Sequence, residues 1–300
     1  MTEDVMSWLP QVKFWLLLVL SIPSTICSIL IFIYFFRQRL KLTLDHHLTL
    51  VLVTGSFIQL TTNFPFIMIY NYFNFVIPTT TSFCLWWNWW EYASNGVLLF
   101  AMAWGSIERH LLVFSRTIMI TRRKRIFFHG LPMLIACLYP VMFYFIVIIL
   151  NPCQNQWNFN EAFCGIPCYL FSNPVLATYD LIADIVVPVL VVAIANVSLI
   201  IRVIWQKRQH QVSWHRQRKL TRQLVSIAIL YILFWFPLTF NGLILIFAPT
   251  SSLLFIQVNY FFFSLHIIPC LLPFTSMSYL ANFKKIVFKR HERTISPVTR

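Results

Sequence analysis

Seven stretches of this chain are each long and apolar enough to cross a bilayer: roughly 14–36, 47–70, 82–112, 127–150, 176–203, 221–247 and 253–279. A spanning helix needs about 20 mostly apolar residues. Lipid offers no partner to a backbone N–H or C=O, so only self-satisfied structures survive there. The chain is thereby confined to an all-α membrane protein, a seven-transmembrane helix bundle forming one domain. Composition agrees, because charged residues are 11% of the chain and hydrophobic ones 59%. Soluble domains carry roughly 25% charge, and so few charges could not cover a water-soluble core of this size.

The placement of basic residues orients the bundle. Of 23 Lys and Arg, 22 fall at the inner ends or in the loops after spans 1, 3 and 5 and in the tail, leaving Lys13 alone on the other side. Retained basic loops mark the cytoplasm. The N-terminus is therefore expected outside and the C-terminus inside, which an odd number of spans satisfies. The net charge of +14 is read as contact with anionic lipid and a cytosolic partner, and not with nucleic acid. The first apolar run follows Glu3 and Asp4 and not a basic region, so it is expected to remain as a span and not be cleaved.

Span 3 carries polar residues in a pattern. At about 3.6 residues per turn, Glu91 and Arg109 share a face, roughly 27 Å apart along the axis. Ser94, Asn95, Leu98, Met102, Gly105 and Ser106 lie within about 60° of that line. A polar and small stripe is expected to face the bundle interior, since ionisable groups in lipid are costly. Of the cysteines, Cys27, Cys137 and Cys270 sit within spans, while Cys84, Cys153, Cys164 and Cys168 fall on the outer side. Four cysteines in an oxidising compartment allow three pairings.

Taken in order, several short motifs make the chain resemble the rhodopsin-like (class A) G-protein-coupled receptors. Glu108-Arg109-His110 resembles the family's Glu/Asp-Arg-Tyr triplet, and Cys84 stands 25 residues before Arg109, the family's interval. Phe234 to Pro237 resembles the Cys-Trp-x-Pro motif of helix 6, and Pro188 fits the helix-5 proline. The run from Leu272 to Phe283 resembles the Asn-Pro-x-x-Tyr region, with Pro273 and Phe283 ten residues apart and a short amphipathic helix over 281–290. The chain departs from the family in span 2, which lacks the sodium-binding Asp and offers Gly55 or Ser56. It departs again at Ser276, which takes the tyrosine position, and at Asn196, which replaces the helix-5 tyrosine.

The resemblance implies a plasma-membrane receptor with no catalytic activity, cofactor or metal. It would bind an extracellular small-molecule or peptide ligand and activate a heterotrimeric G protein. Glu108, Arg109, His110, Tyr231, Trp235, Pro237 and Pro273 would carry activation, with Arg109 paired to Glu108 at rest. Glu91, Asn95, Asp180, Asp184, Trp235 and His266 would contact ligand. Three acids in the outer half, with only Lys13 on that side, would make one strongly negative cavity suited to a cationic amine or basic peptide, although Glu91 pairing with His266 would be a structural alternative. The resemblance also implies that Cys84 bonds Cys164 or Cys168, with Cys153 taking the remaining partner. The four Trp between Trp86 and Trp90 read mostly as an interfacial aromatic belt.

Other classes fit less well. Span 7 has no Lys, so an opsin-type Schiff base at the position of His266 is excluded. An intramembrane zinc hydrolase needs several converging His, and only His266 lies in the outer half. A transporter or channel would be expected to show internal repeats or broken paired helices, neither of which the sequence displays.

Overall fold

The computed structural model describes residues 2–37, 44–114, 122–206, 214–248 and 250–279. The expected helix over 281–290, Phe283, Ser296 and half of the 22 basic residues assigned to the inner side lie outside these. Among the described residues all regular structure is helical. Six helices are long and apolar enough to cross a membrane, with mean hydropathy from 1.4 to 2.6. They are α1 (Trp8–Arg37), α2 (His47–Phe73), α4 (Ile126–Ile149), α5 (Pro174–Arg202), α6 (Arg222–Phe247) and α7 (Ser251–Met277). Between α2 and α4 runs a further helix of 34 residues, α3 (Thr81–Phe114).

Apolar side chains cover the outside of the bundle, and polar ones are buried within it beside an apolar core. On α4, Leu134, Ile135, Leu138, Met142 and Ile146 are exposed, and on α5 so are Val187, Leu190, Ile194, Val197 and Ile201. Both sets recur at three- and four-residue intervals, which makes one continuous outward face. Meanwhile Gln59, Asn63, Asn88, Glu91, Ser106, Glu108 and Asn196 are buried. A water-soluble protein would have these sets reversed. The arrangement suits a solvent of hydrocarbon, and the chain is a multi-pass membrane protein.

Helix α3 packs on α2, α4 and α5, while α7 packs on α1, α2 and α6, and α5 on α6. The stripe on α3 does face inward: Glu91, Leu98, Met102, Ser106 and Arg109 are all buried. Gly105 permits this closeness, because a Cβ there would overlap the Leu48 side chain of α2.

Prolines shape the other helices. Each removes an N–H and crowds the carbonyl four residues back. Pro65 divides α2 at Asn63, between Leu44–Thr62 and Phe64–Phe73. Pro188 follows a widened turn over Asp180–Val186, and Pro269 follows a break in α7 at His266. Backbone groups released at such points are free to bond elsewhere.

Tertiary bonds define two ends. At one, Cys84 is joined to Cys164 and Cys153 to Cys168. This selects one of the three possible pairings. At the other lie Arg109, Lys124, Arg202 and Arg222, near the ends of α3 to α6 that are remote from the disulfides. These are called the disulfide end and the basic end below.

Candidate functional site

The break in α2 creates the first polar cluster. Asn63 stands where the two halves of the helix meet, and its side chain caps neither half. It reaches α3 instead. Asn63 Nδ2 donates to Glu91 Oε2, and Asn63 Oδ1 accepts from Trp87 Nε1 at 2.7 Å. Glu91 Oε1 accepts from Asn95 Nδ2 at 2.7 Å, and Asn95 Oδ1 accepts from Gln59 Nε2 at 3.2 Å.

The break in α7 supplies a third contact. His266 Nδ1 lies 3.1 Å from the Phe263 carbonyl, so that nitrogen carries hydrogen. Its Nε2 is 3.1 Å from Glu91 Oε1, within ion-pair reach but out of line for a hydrogen bond. Glu91 is 0% exposed. A carboxylate there is tolerable only because amides and an imidazole surround it. The cluster ties α2, α3 and α7 together at three kinked or polar positions. Asn63, Gln59 and Trp87 were not singled out from sequence. Pro65 after Asn63 was the available signal.

The three acids expected to share one cavity are separated. Asp180 accepts from Tyr144 at 2.8 Å and from Tyr169 at 2.9 Å, and all three groups are buried. Asp184, one turn on, is 3% exposed and faces the Tyr139 hydroxyl, without a hydrogen bond of good geometry. The nearby Tyr139 hydroxyl bonds Tyr179 instead, at 3.1 Å.

Two cavities lie toward the disulfide end. One, of about 240 Å³, is bordered by Tyr92, Asp180, Leu181, Gly242, Gln257 and Phe262 among others. The second, of about 200 Å³, is bordered by Lys13, Ile67, Trp87, Phe163, Asn259 and His266 among others. Of the expected ligand residues, Asp180 borders the first and His266 the second. Glu91, Asn95, Asp184 and Trp235 border neither.

The four Trp expected mostly as an aromatic belt differ in burial: Trp87 is buried and Trp86 is exposed, with Trp89 and Trp90 between them. Trp87, Trp89 and Trp90 donate their indole N–H to Asn63, to the Val141 carbonyl and to Thr62, respectively. They link α3 to α2 and α4, and for the buried Trp87 the acceptor is needed because an indole N–H shut away from water is costly. Trp86 is the most exposed of the four.

At the basic end the pairing differs from expectation. The partner of Glu108 among the described residues is His129 of α4, through Nδ1, and not Arg109. His129 Nε2 in turn lies 2.9 Å from Nδ1 of His47 on α2. Adjacent residues on a helix point about 100° apart, so Glu108 faces α4 while Arg109 turns into the bundle.

Other bonds close this end. His110, whose role the sequence left open, has Nε2 2.6 Å from the Ala195 carbonyl on α5. Asn196 donates to Ser106 Oγ at 2.9 Å, and Gln223 of α6 donates to Thr49 of α2 at 3.2 Å. Tyr231, Trp235 and Leu238 are buried in the central apolar core with Leu272, and Pro237 and Pro273 lie inside α6 and α7.

These helices can hold a small ligand at one end and a polar, breakable set of bonds at the other. Among the described residues no group of His, Cys, Asp and Glu is arranged to hold a metal ion. Comparison with protein-family models and with curated proteins finds no match to this chain.

Proposed function

We propose that the chain is a receptor of the rhodopsin-like kind, in the plasma membrane with its basic end in the cytoplasm. It binds an extracellular ligand at the disulfide end and activates a heterotrimeric G protein at the basic end. The carrying observation is α3 itself. Cys84 near its start is bonded to Cys164 in the connection from α4 to α5, and Arg109 is buried 25 residues later near its other end.

In this reading α3 is a seventh span. Its 34 residues extend roughly 51 Å at 1.5 Å each, more than the roughly 30 Å of hydrocarbon. Its ionisable groups are turned inward, away from lipid. Were it not to cross, the basic residues after α3 would lie opposite those after α1, against the charge asymmetry of the chain.

Activation then separates the inner end of α6 from its neighbours. The Gln223–Thr49 bond spans that seam, and the core around Trp235 lies between it and the cavities. A ligand that favours the open arrangement shifts the equilibrium by its difference in affinity for the two states. Support for a cationic ligand is weak, because Glu91 and Asp184 border neither cavity and Asp180 is occupied by two tyrosines.

One observation favours a transporter as the second reading. The breaks at Asn63 and His266 both lie beside buried Glu91, and transporters use interrupted helices around a polar centre. Protein reconstituted in liposomes separates the two. Accelerated nucleotide exchange on a G protein that is lost in Arg109→Ala supports the receptor, and solute flux without exchange refutes it.

A further inference from the structure

Lys13 is the single basic residue on its side of the chain, and the structure places it on the wall of a cavity. Its ammonium donates to the Asn259 carbonyl at 2.7 Å and lies 5.1 Å from the Phe263 ring and 5.9 Å from that of Tyr260. An ammonium has three donors and no acceptor, so one bond to a neutral carbonyl and two ring faces leave its charge without a counter-ion among the described residues. Among the described residues no carboxylate is within ion-pair distance of it.

The rest of the wall is mostly apolar, interrupted by Tyr70, Asn71 and His266. Ile67 and Trp87 are buried, and the His266 ring stacks on Phe163 with centroids 5.9 Å apart and planes 9° apart. His266 is already engaged by Glu91, which leaves Lys13 as the free cation of the cavity. Phe255, also on the wall, is 44% exposed.

We propose that this cavity of about 200 Å³ binds a small amphipathic carboxylate, its anion on Lys13 and its apolar body against Trp87, Phe163 and Ile67. The size is below the roughly 300–1,000 Å³ of drug-sized sites, so the body is a short aliphatic or single-ring group. A charge partly withdrawn from water gains most from an anion brought to it. A cation would meet Lys13 and is rejected. The assignment names the ligand class of the proposed receptor and rests on that reading for its consequence, though not for the binding itself.

The test uses the full chain in nanodiscs of neutral lipid and three probes of one shape: phenylacetate, 2-phenylacetamide and 2-phenylethylammonium. Equilibrium binding should favour phenylacetate by about tenfold or more over both others, as expected for hydrogen bonds to a charged group. Lys13→Gln should abolish that preference and Lys13→Arg retain it.

Equal affinity for the three probes, no measurable binding of phenylacetate, or an undiminished preference in Lys13→Gln overturns the proposal. The probe series on the wild-type chain decides the matter even if a variant folds poorly. Nucleotide exchange is read in parallel. Phenylacetate binding without exchange on any G protein contradicts the receptor reading and leaves the site standing. Arg109-dependent exchange without phenylacetate binding contradicts the site alone.

Discussion

Glu108 of α3 is paired with His129 of α4, and both are buried at the basic end. The pair continues to His47 of α2, so three helices meet through one carboxylate and two imidazoles. Removing one partner of a buried pair strands the other charge. His129→Ala is expected to destabilise the protein by about 3–5 kcal/mol, measured by thermal unfolding in detergent. A change under about 1 kcal/mol would mean that the pair is solvated and contributes little.

Glu91 is expected to behave as a structural group. Glu91→Gln puts an amide donor opposite the Asn63 and Asn95 donors, which Glu91 now satisfies. It should lower the unfolding temperature. A double-mutant cycle with His266→Gln should give a coupling of about 0.5–3 kcal/mol. Additive single effects would show that the 3.1 Å approach of His266 is incidental.

Asp180 and Asp184 make a matched comparison one turn apart. Asp180→Leu leaves the Tyr144 and Tyr169 hydroxyls buried without an acceptor, at about 1–3 kcal/mol each. Asp184→Leu removes a carboxylate whose contact with the Tyr139 hydroxyl falls short of good hydrogen-bond geometry and should cost less than Asp180→Leu. Unfolding temperatures of the two variants in the same detergent check the ordering. A loss at Asp184 as large as that at Asp180 would contradict it.

The two disulfides should differ in weight. Cys84–Cys164 closes a span of 80 residues and Cys153–Cys168 one of 15. In the chain-entropy account the longer loop contributes about 1.5 kcal/mol more. Cys84→Ser should therefore lower stability further than Cys153→Ser in chemical denaturation. Mass spectrometry of a non-reduced digest checks the pairing directly.

Much of the helical frame was legible because bilayer thickness and hydrophobic length are tied together. The span starts and ends in the sequence fall within a few residues of the helices, apart from an earlier start to α1. The inward face of α3 was also legible, since Glu91 and Arg109 are an integral number of turns apart. The partners of the polar groups were not. Glu108 and Arg109 are neighbours in sequence, yet helix geometry points them apart, and the histidine that takes Glu108 lies 21 residues away on α4.

Asn63 was missed for a related reason. Its side chain becomes available through Pro65, and its acceptor is 28 residues off. Counting acids on the outer side suggested a negative cavity, but a count carries no information on which acids neighbouring tyrosines and amides enclose. The broken helices sought for a transporter were likewise invisible by hydropathy, because a kink at Asn63 or His266 leaves the apolar run intact.

The central claim is that ligand binding at the disulfide end is read out at Arg109. The most direct measurement is nucleotide exchange on a panel of heterotrimeric G proteins by the reconstituted chain, titrated with small acids, amines and peptides. The account predicts saturable acceleration by at least one compound in the wild type and none in Arg109→Ala that still binds it. Equal acceleration by wild type and Arg109→Ala, or compound flux across the liposome with no exchange, would contradict it.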